Sequence, residues 1–255
     1  MSLMGGSVKD GEAGDARRDR WTTHRAERRR QFVDAALRVL QTHGPELLMD
    51  AVAAEAGVTK PVLYRYFSEK AELIEALAER GSEILTERLL PAINGGTPAL
   101  ASVRDGVGAY FSVIDEYPNL YWLLARHVTI EDGRLSGPVQ RNKESIATAL
   151  TAVLSDYAWV LGLDSGGAEP WAYGITGLVQ STGEWWLQRR SMSRAHVVDI
   201  VTELIWAALA GMLREAGIEV DPDQPLPAVQ PSLLKLTGDQ PADQPGPDTS
   251  ALPRR

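Results

Sequence analysis

Apolar residues return every three or four positions along most of this chain. Phe32, Ala35, Ala36, Val39, Leu40 and His43 form one stripe of a 3.6-residue period, which predicts a helix from about Arg25. Gly44 and Pro45 follow in the order that stops a helix. A short second helix is expected over 50–56, with Asp50 as its N-cap and Val52 and Ala53 facing inward. Gly57 suits a left-handed turn. A third short helix is expected to start with Thr59 as N-cap and Pro61 in its first turn, and to end near Phe67. Ser68 can cap a fourth helix, SEKAELIEALAERGSEILTERLL, ended by Pro91. After Asn94-Gly-Gly, five further helical patterns cover 98–116, 118–128, 138–162, 168–190 and 194–216. No window alternates with period 2 between turn residues, so no sheet is predicted. The expected fold class is all-α, with about nine helices.

The two ends of the chain lack that periodicity. Residues 1–24 are rich in Gly, Asp and Arg and are expected to be a disordered arm. From Asp221 the chain reads DPDQPLPAVQPS, and eight of the 15 prolines lie in 221–255, the composition of an extended tail. Charge divides the chain further. Residues 1–80 hold 13 basic and 13 acidic side chains, so the net charge of -8 belongs to the remainder. Within the balanced part, ARRDRWTTHRAERRR (16–30) carries seven arginines against two acids. A basic segment before a neutral small domain and an acidic body points to a polyanion met at one end, or to a solvated arm. The absence of cysteine removes disulfides and thiolate zinc sites and fits a cytoplasmic location. No leader peptide and no membrane span are expected.

The segment AVAAEAGVTKPVLYRYFSEKAEL (51–73) carries the clearest chemistry. Two short helices joined by a glycine turn make a helix-turn-helix pattern, whose second helix enters the DNA major groove. On a helix starting at Thr59, Lys60, Pro61 and Tyr64 share an outward face, while Leu63 and Phe67 share the opposite one and can pack on the first helix. Lys60 can donate to guanine, Pro61 and Val62 can meet a thymine methyl, and Tyr64, Tyr66 and Lys70 can reach phosphates.

The stretch from about Arg28 to Leu77 resembles the TetR family of tetracycline-repressor-like regulators. The resemblance is carried by Ala36, Gly44, Val52-Ala53, Ala56-Gly57-Val58, Leu63-Tyr64-Arg65-Tyr66-Phe67, Lys70 and Glu72-Leu73, with the pattern AxxAGVxxxxLYxYFxxKxEL over 53–73. It implies that Thr59, Lys60, Pro61, Val62, Tyr64, Tyr66 and Lys70 take DNA-contact positions. It also implies a DNA-binding domain over 25–70, a helical ligand-binding and dimerisation domain over 71–220, and a homodimer on double-stranded DNA. Where the family often opens its second helix with a threonine pair, this chain has Met49-Asp50, a carboxylate that repels phosphate. Arginines of 16–30 are the groups expected to compensate by following the DNA backbone.

In the body, WAYGITGLVQSTGEWWLQRR (171–190) and VVDIVTELIWAALAGML (197–213) together resemble the family's self-complementary four-helix dimer interface, which the resemblance implies and twofold symmetry would generate. Large amphipathic side chains between Tyr110 and Trp186 can wall a small-molecule site. The ligand candidates are Tyr110, Trp122, Arg126, His127, Trp159, Tyr173 and Glu184; each aromatic also fits an ordinary core position, and Trp185-Trp186 equally fit a dimer contact. No catalytic or metal constellation is found, since Glu-x-x-His is absent, GLVQSTG (177–183) lacks the glycine of a nucleophile elbow and GVGAYF (106–111) fails as a phosphate loop. The expected function is a ligand-responsive repressor, with no cofactor, released from a palindromic operator by a small hydrophobic or aromatic effector. The alternative is a helical dimer that sequesters a small molecule or protein and keeps a vestigial DNA domain.

Overall fold

A computed structural model describes residues 9–93, 97–127, 129–131 and 134–225, and side-chain surroundings within 23–91, 97–127 and 136–225. Nine α-helices occur among the described residues: α1 (Lys9–His43), α2 (Met49–Glu55), α3 (Lys60–Tyr64), α4 (Lys70–Ile93), α5 (Ala99–Glu116), α6 (Pro118–Ala125), α7 (Pro138–Val160), α8 (Ala168–Arg189) and α9 (Arg194–Glu215). The all-α fold expected from the periodicity is therefore the observed one.

Several local expectations are corrected. The first helix begins at Lys9, sixteen residues before Arg25, so 9–24 is not a disordered arm. No proline interrupts 9–43, and its Ala, Arg and Glu residues are good helix formers. Residues 1–8 lie outside the described residues. Pro91 does not end α4 but sits in its last turn. Two three-residue strands, β1 (Thr129–Glu131) and β2 (Arg134–Ser136), form an antiparallel hairpin where no sheet was expected. The intervening sequence is Asp-Gly, the dipeptide that favours a two-residue hairpin turn. Asp50 is not a cap: Leu48 occupies that position without a side-chain bond, and Asp50 lies in the first turn. Residues 221–225 are not free tail. The Ala99 amide donates to the Gln224 carbonyl at 3.3 Å, the Leu100 amide donates to the Pro222 carbonyl at 3.3 Å, and Pro98 bridges Pro225. The rest of the expected tail, 226–255, lies outside the described residues.

Two apolar cores organise the described residues. The first joins Phe32, Val39 and Leu40 of α1, Val52 of α2, Leu63 of α3, Phe67, and Leu73, Leu77 and Leu85 of α4, and continues into Leu120 and Leu123 of α6. The second holds Val107, Phe111 and Ile114 of α5 against Trp186 of α8 and Val197, Val201 and Ile205 of α9. Helix α9 is long and apolar enough to cross a membrane by composition alone. It nevertheless packs the Val197–Val201–Ile205 stripe on α5 and sets Asp199 against Arg104, as a helix of a folded body does. Only 28% of its apolar window is buried within the protomer, which leaves one face bare.

Candidate nucleic-acid interface and ligand site

The local sequence fixes how α3 is presented. Gly57 takes φ +66, a left-handed conformation that turns the chain sharply between α2 and α3. Thr59 precedes α3 with extended backbone, and Pro61 sits in the first turn where its missing N–H costs nothing. Leu63 and Phe67 are fully buried, and Phe67 meets Phe32 edge-on at 6.5 Å. That anchoring turns Thr59, Lys60, Pro61, Tyr64 and Arg65 to solvent together. Lys70 is exposed at the start of α4. Val62 and Tyr66 are half-buried, with the Tyr66 ring edge-on to Phe32 at 5.1 Å. Both therefore contribute to the core of this small domain as well as to its rim.

A junction of three helices holds the C-terminal end of α3. The Arg29 guanidinium donates to the Tyr66 carbonyl at 2.5 Å and to the Glu72 carboxylate at 2.6 Å, and lies 4.3 Å from the Phe67 ring centre. Glu72 also accepts from the Ser68 amide at 2.8 Å and the Ser68 hydroxyl at 3.1 Å. The Arg29 hydrogen bond, followed by the Ser68 amide, holds the Glu72 carboxyl below the usual carboxylate range. Arg25 and Arg28 lie over Tyr66 and Phe32 at 6.0 and 5.2 Å. Arg29, at least, serves the domain internally rather than standing free to follow DNA. Asp50, read as a repulsive departure, is paired: the Lys60 ammonium donates to its carboxylate at 3.0 Å.

The body lies one link further. The Asn119 side chain donates to the Leu40 carbonyl at 2.7 Å, tying α6 to α1. Arg88 of α4 donates to Ser112 at 2.8 Å and to Glu116 at 2.5 Å on α5, and Arg141 of α7 pairs with Glu75 of α4. A rearrangement inside the body thus has polar and packed routes to α4, whose first turn carries Lys70.

The ligand candidates separate into two groups. Tyr110, Trp122 and Glu184 belong to one neighbourhood. Tyr110 packs on Gly183 and edge-on to Phe111 at 5.9 Å, and Trp122 is edge-on to Tyr121 at 5.3 Å. Burial, and then the Tyr121 phenol and the Glu184 carboxylate, push the Tyr110 phenol well above its usual range. Burial and Glu184 push Tyr121 up to about 12. The Tyr110 hydroxyl is buried without a hydrogen-bond partner, as is the Thr176 hydroxyl. Tyr121, one of the large amphipathic side chains between Tyr110 and Trp186, joins this neighbourhood through the packing of α5, α6 and α8.

The remaining candidates are exposed. Trp159 is 82% exposed at the end of α7, and Tyr173 is exposed on α8. Helical periodicity identifies a face but not whether a neighbour covers it. Arg126 and His127 are exposed where α6 ends, with His127 Nδ1 2.7 Å from the Leu123 carbonyl oxygen. A separate apolar groove of about 470 Å³ runs between α8 and α9, lined by Pro170, Trp171, Gly174, Leu178, Leu204 and Ala208 among others.

Comparison with known proteins assigns the scaffold. Residues 32–77 match the family described as bacterial regulatory proteins, tetR family, and residues 88–218 match the tetracyclin repressor-like C-terminal domain. The chain belongs to the TetR family. The HTH-type transcriptional regulator Rv0472c of Mycobacterium tuberculosis is 32% identical over 216 residues, covering 84% of this chain and 91% of the relative. The HTH-type transcriptional activator FasR of Mycolicibacterium smegmatis is 28% identical over 188 residues, 73% of this chain and 84% of FasR. A TetR-family regulator of Streptomyces coelicolor aligns with TM-score 0.57 at 25% identity over 74% of this chain and 87% of that structure. FadR of Bacillus subtilis, solved with stearoyl-CoA, shares the fold at TM-score 0.55 and 19% identity, covering 69% of this chain and 96% of FadR. This TetR-family chain is accordingly a DNA-binding transcriptional regulator and not an enzyme.

Proposed function

We propose that the protein is a repressor that binds a palindromic operator as a homodimer and is released by a small hydrophobic or aromatic effector. The reading rests above all on the exposed face of α3: Thr59, Lys60, Pro61 and Tyr64 stand together in solvent because Leu63 and Phe67 anchor the opposite side. In the family's docking geometry that face meets base edges, while Tyr66 and Lys70 lie at phosphate height and Val62 at the rim. Two such helices must sit about 34–36 Å apart, or a multiple of that, to read successive half-sites, so a dimer is required. The bare apolar groove between α8 and α9 supports that dimer, since apolar surface left in water marks an interface. For the effector, the support is the orphaned Tyr110 hydroxyl beside Tyr121, Trp122 and Glu184. A ligand that offers Tyr110 an acceptor removes the cost of leaving it unpaired. The acyl-CoA bound to FadR is consistent with an apolar effector in this fold. A cytoplasmic location follows from the role. The alternative of a sequestering dimer with a vestigial DNA domain loses its main support, because Asp50 is partnered by Lys60 instead of standing as a bare repulsive charge.

The test is fluorescence anisotropy on duplexes tiled across the DNA upstream of the gene, at two salt concentrations. Saturable binding to one near-palindromic tile, lost in a Lys60→Ala, Tyr64→Ala double variant, is the expected result. A copurified ligand with no operator at any tile or in a random duplex pool would favour the sequestering reading.

A further inference from the structure

The Lys60–Asp50 pair joins the first residue of the recognition helix to the first turn of the helix before it, ten positions earlier in sequence. Both side chains face solvent, Lys60 47% and Asp50 76% exposed, on the surface shared with Thr59, Pro61 and Tyr64. An exposed pair of this kind contributes little to folding. Its consequence is positional. Lysine is a point charge on a flexible four-carbon stem and, left alone, donates to whatever phosphate it reaches. A carboxylate held at 3.0 Å confines that ammonium to one arc and repels phosphates that approach it.

Neutral acceptors on a base edge suffer no such repulsion. Lysine has three donors; one is engaged by Asp50 and two remain for guanine O6 and N7. The carboxylate, for its part, can accept from the amino group of the paired cytosine. We propose that Asp50 is a specificity-determining positioning residue: by holding Lys60, it directs the lysine to a guanine in the operator and away from the DNA backbone. The inference rests on the DNA-binding reading above.

The experiment is selection from a randomised duplex pool by the full-length wild type and by the Lys60→Ala, Asp50→Asn and Asp50→Glu variants. Melting curves check that each variant is folded. Wild type should enrich a symmetric sequence with a guanine at one position per half-site. Lys60→Ala and Asp50→Asn should lose the preference at that same position, by roughly five- to a hundredfold, and leave the other positions intact. Asp50→Glu should keep it. On a fixed non-operator duplex, Asp50→Asn should bind more tightly than wild type, with a steeper salt dependence, as the freed lysine engages phosphate. An Asp50→Asn profile identical to wild type, or one relaxed evenly at every position, would overturn the proposal while leaving DNA binding standing. Failure of the wild type to enrich any sequence would remove the DNA-binding reading and this inference with it.

Discussion

Gly183 occupies a place where a methyl group has no room. A Cβ there would sit 2.6 Å from Tyr110 Cε1 and 2.9 Å from Ile114 Cδ1, both on the facing helix α5. Gly183→Ala should therefore destabilise the body by about 1–3 kcal/mol through overpacking, measured by urea unfolding. Tyr110→Phe should move the other way or leave stability unchanged, because it deletes a buried hydroxyl that has no partner. If the effector uses that hydroxyl, the same variant loses effector release while operator binding persists; a wild-type response would detach Tyr110 from the site. Tyr110 is legible in the sequence as a large amphipathic side chain at helical spacing. Its orphaned hydroxyl is not, since that depends on which residues of α6 and α8 fold against it. Trp159 teaches the same lesson in reverse, being equally aromatic and left in solvent.

At the scale of elements, the motif over 53–73 is readable because its determinants are local. A turn glycine, a first-turn proline and two apolar residues four apart specify α3 without reference to the rest of the chain. What is not local is the lock on the end of α3, where Arg29 reaches across 43 positions to Glu72. The folded carboxyl of Glu72 is held below its unfolded value, so its contribution is complete above the unfolded value and fades as pH falls through the folded one. Wild type should melt higher than Glu72→Gln at neutral pH, and the gap should close on acidification. Because both partners are about one-third exposed, solvent screening keeps the gap modest. A gap that stays constant from neutral to strongly acidic solution would show that the charge of Glu72 does not sustain the junction. The hairpin over 129–136 marks the opposite limit. Its strands have three residues each, too few for alternation to register, although the Asp-Gly between them was a usable signal.

For the whole molecule, the proposed function asks one arrangement to do two jobs, spacing a pair of recognition helices and answering to a ligand in the body. Leu204, 53% exposed on α9, lines the apolar groove with Trp171 and Leu178. Leu204→Glu should place a charge in that surface and shift the protein from dimer to monomer in sedimentation velocity, with operator affinity falling in parallel. A dimer that survives the change would move the interface off α8 and α9. The periodicity of the chain announces two long apolar helices at its end, but only the packing shows which stripe faces α5 and which is left bare.

The return of residues 221–225 to the start of α5 has a practical meaning for anyone trimming the gene. Helix α5 is preceded by Pro98, which offers its amides no side-chain cap, and the acceptors it uses instead are the carbonyls of Pro222 and Gln224. The family match ends at residue 218, short of both. A fragment cut at that border would look complete by homology yet release the first turn of the helix that carries Tyr110, whereas one ending after Pro225 would keep it fastened.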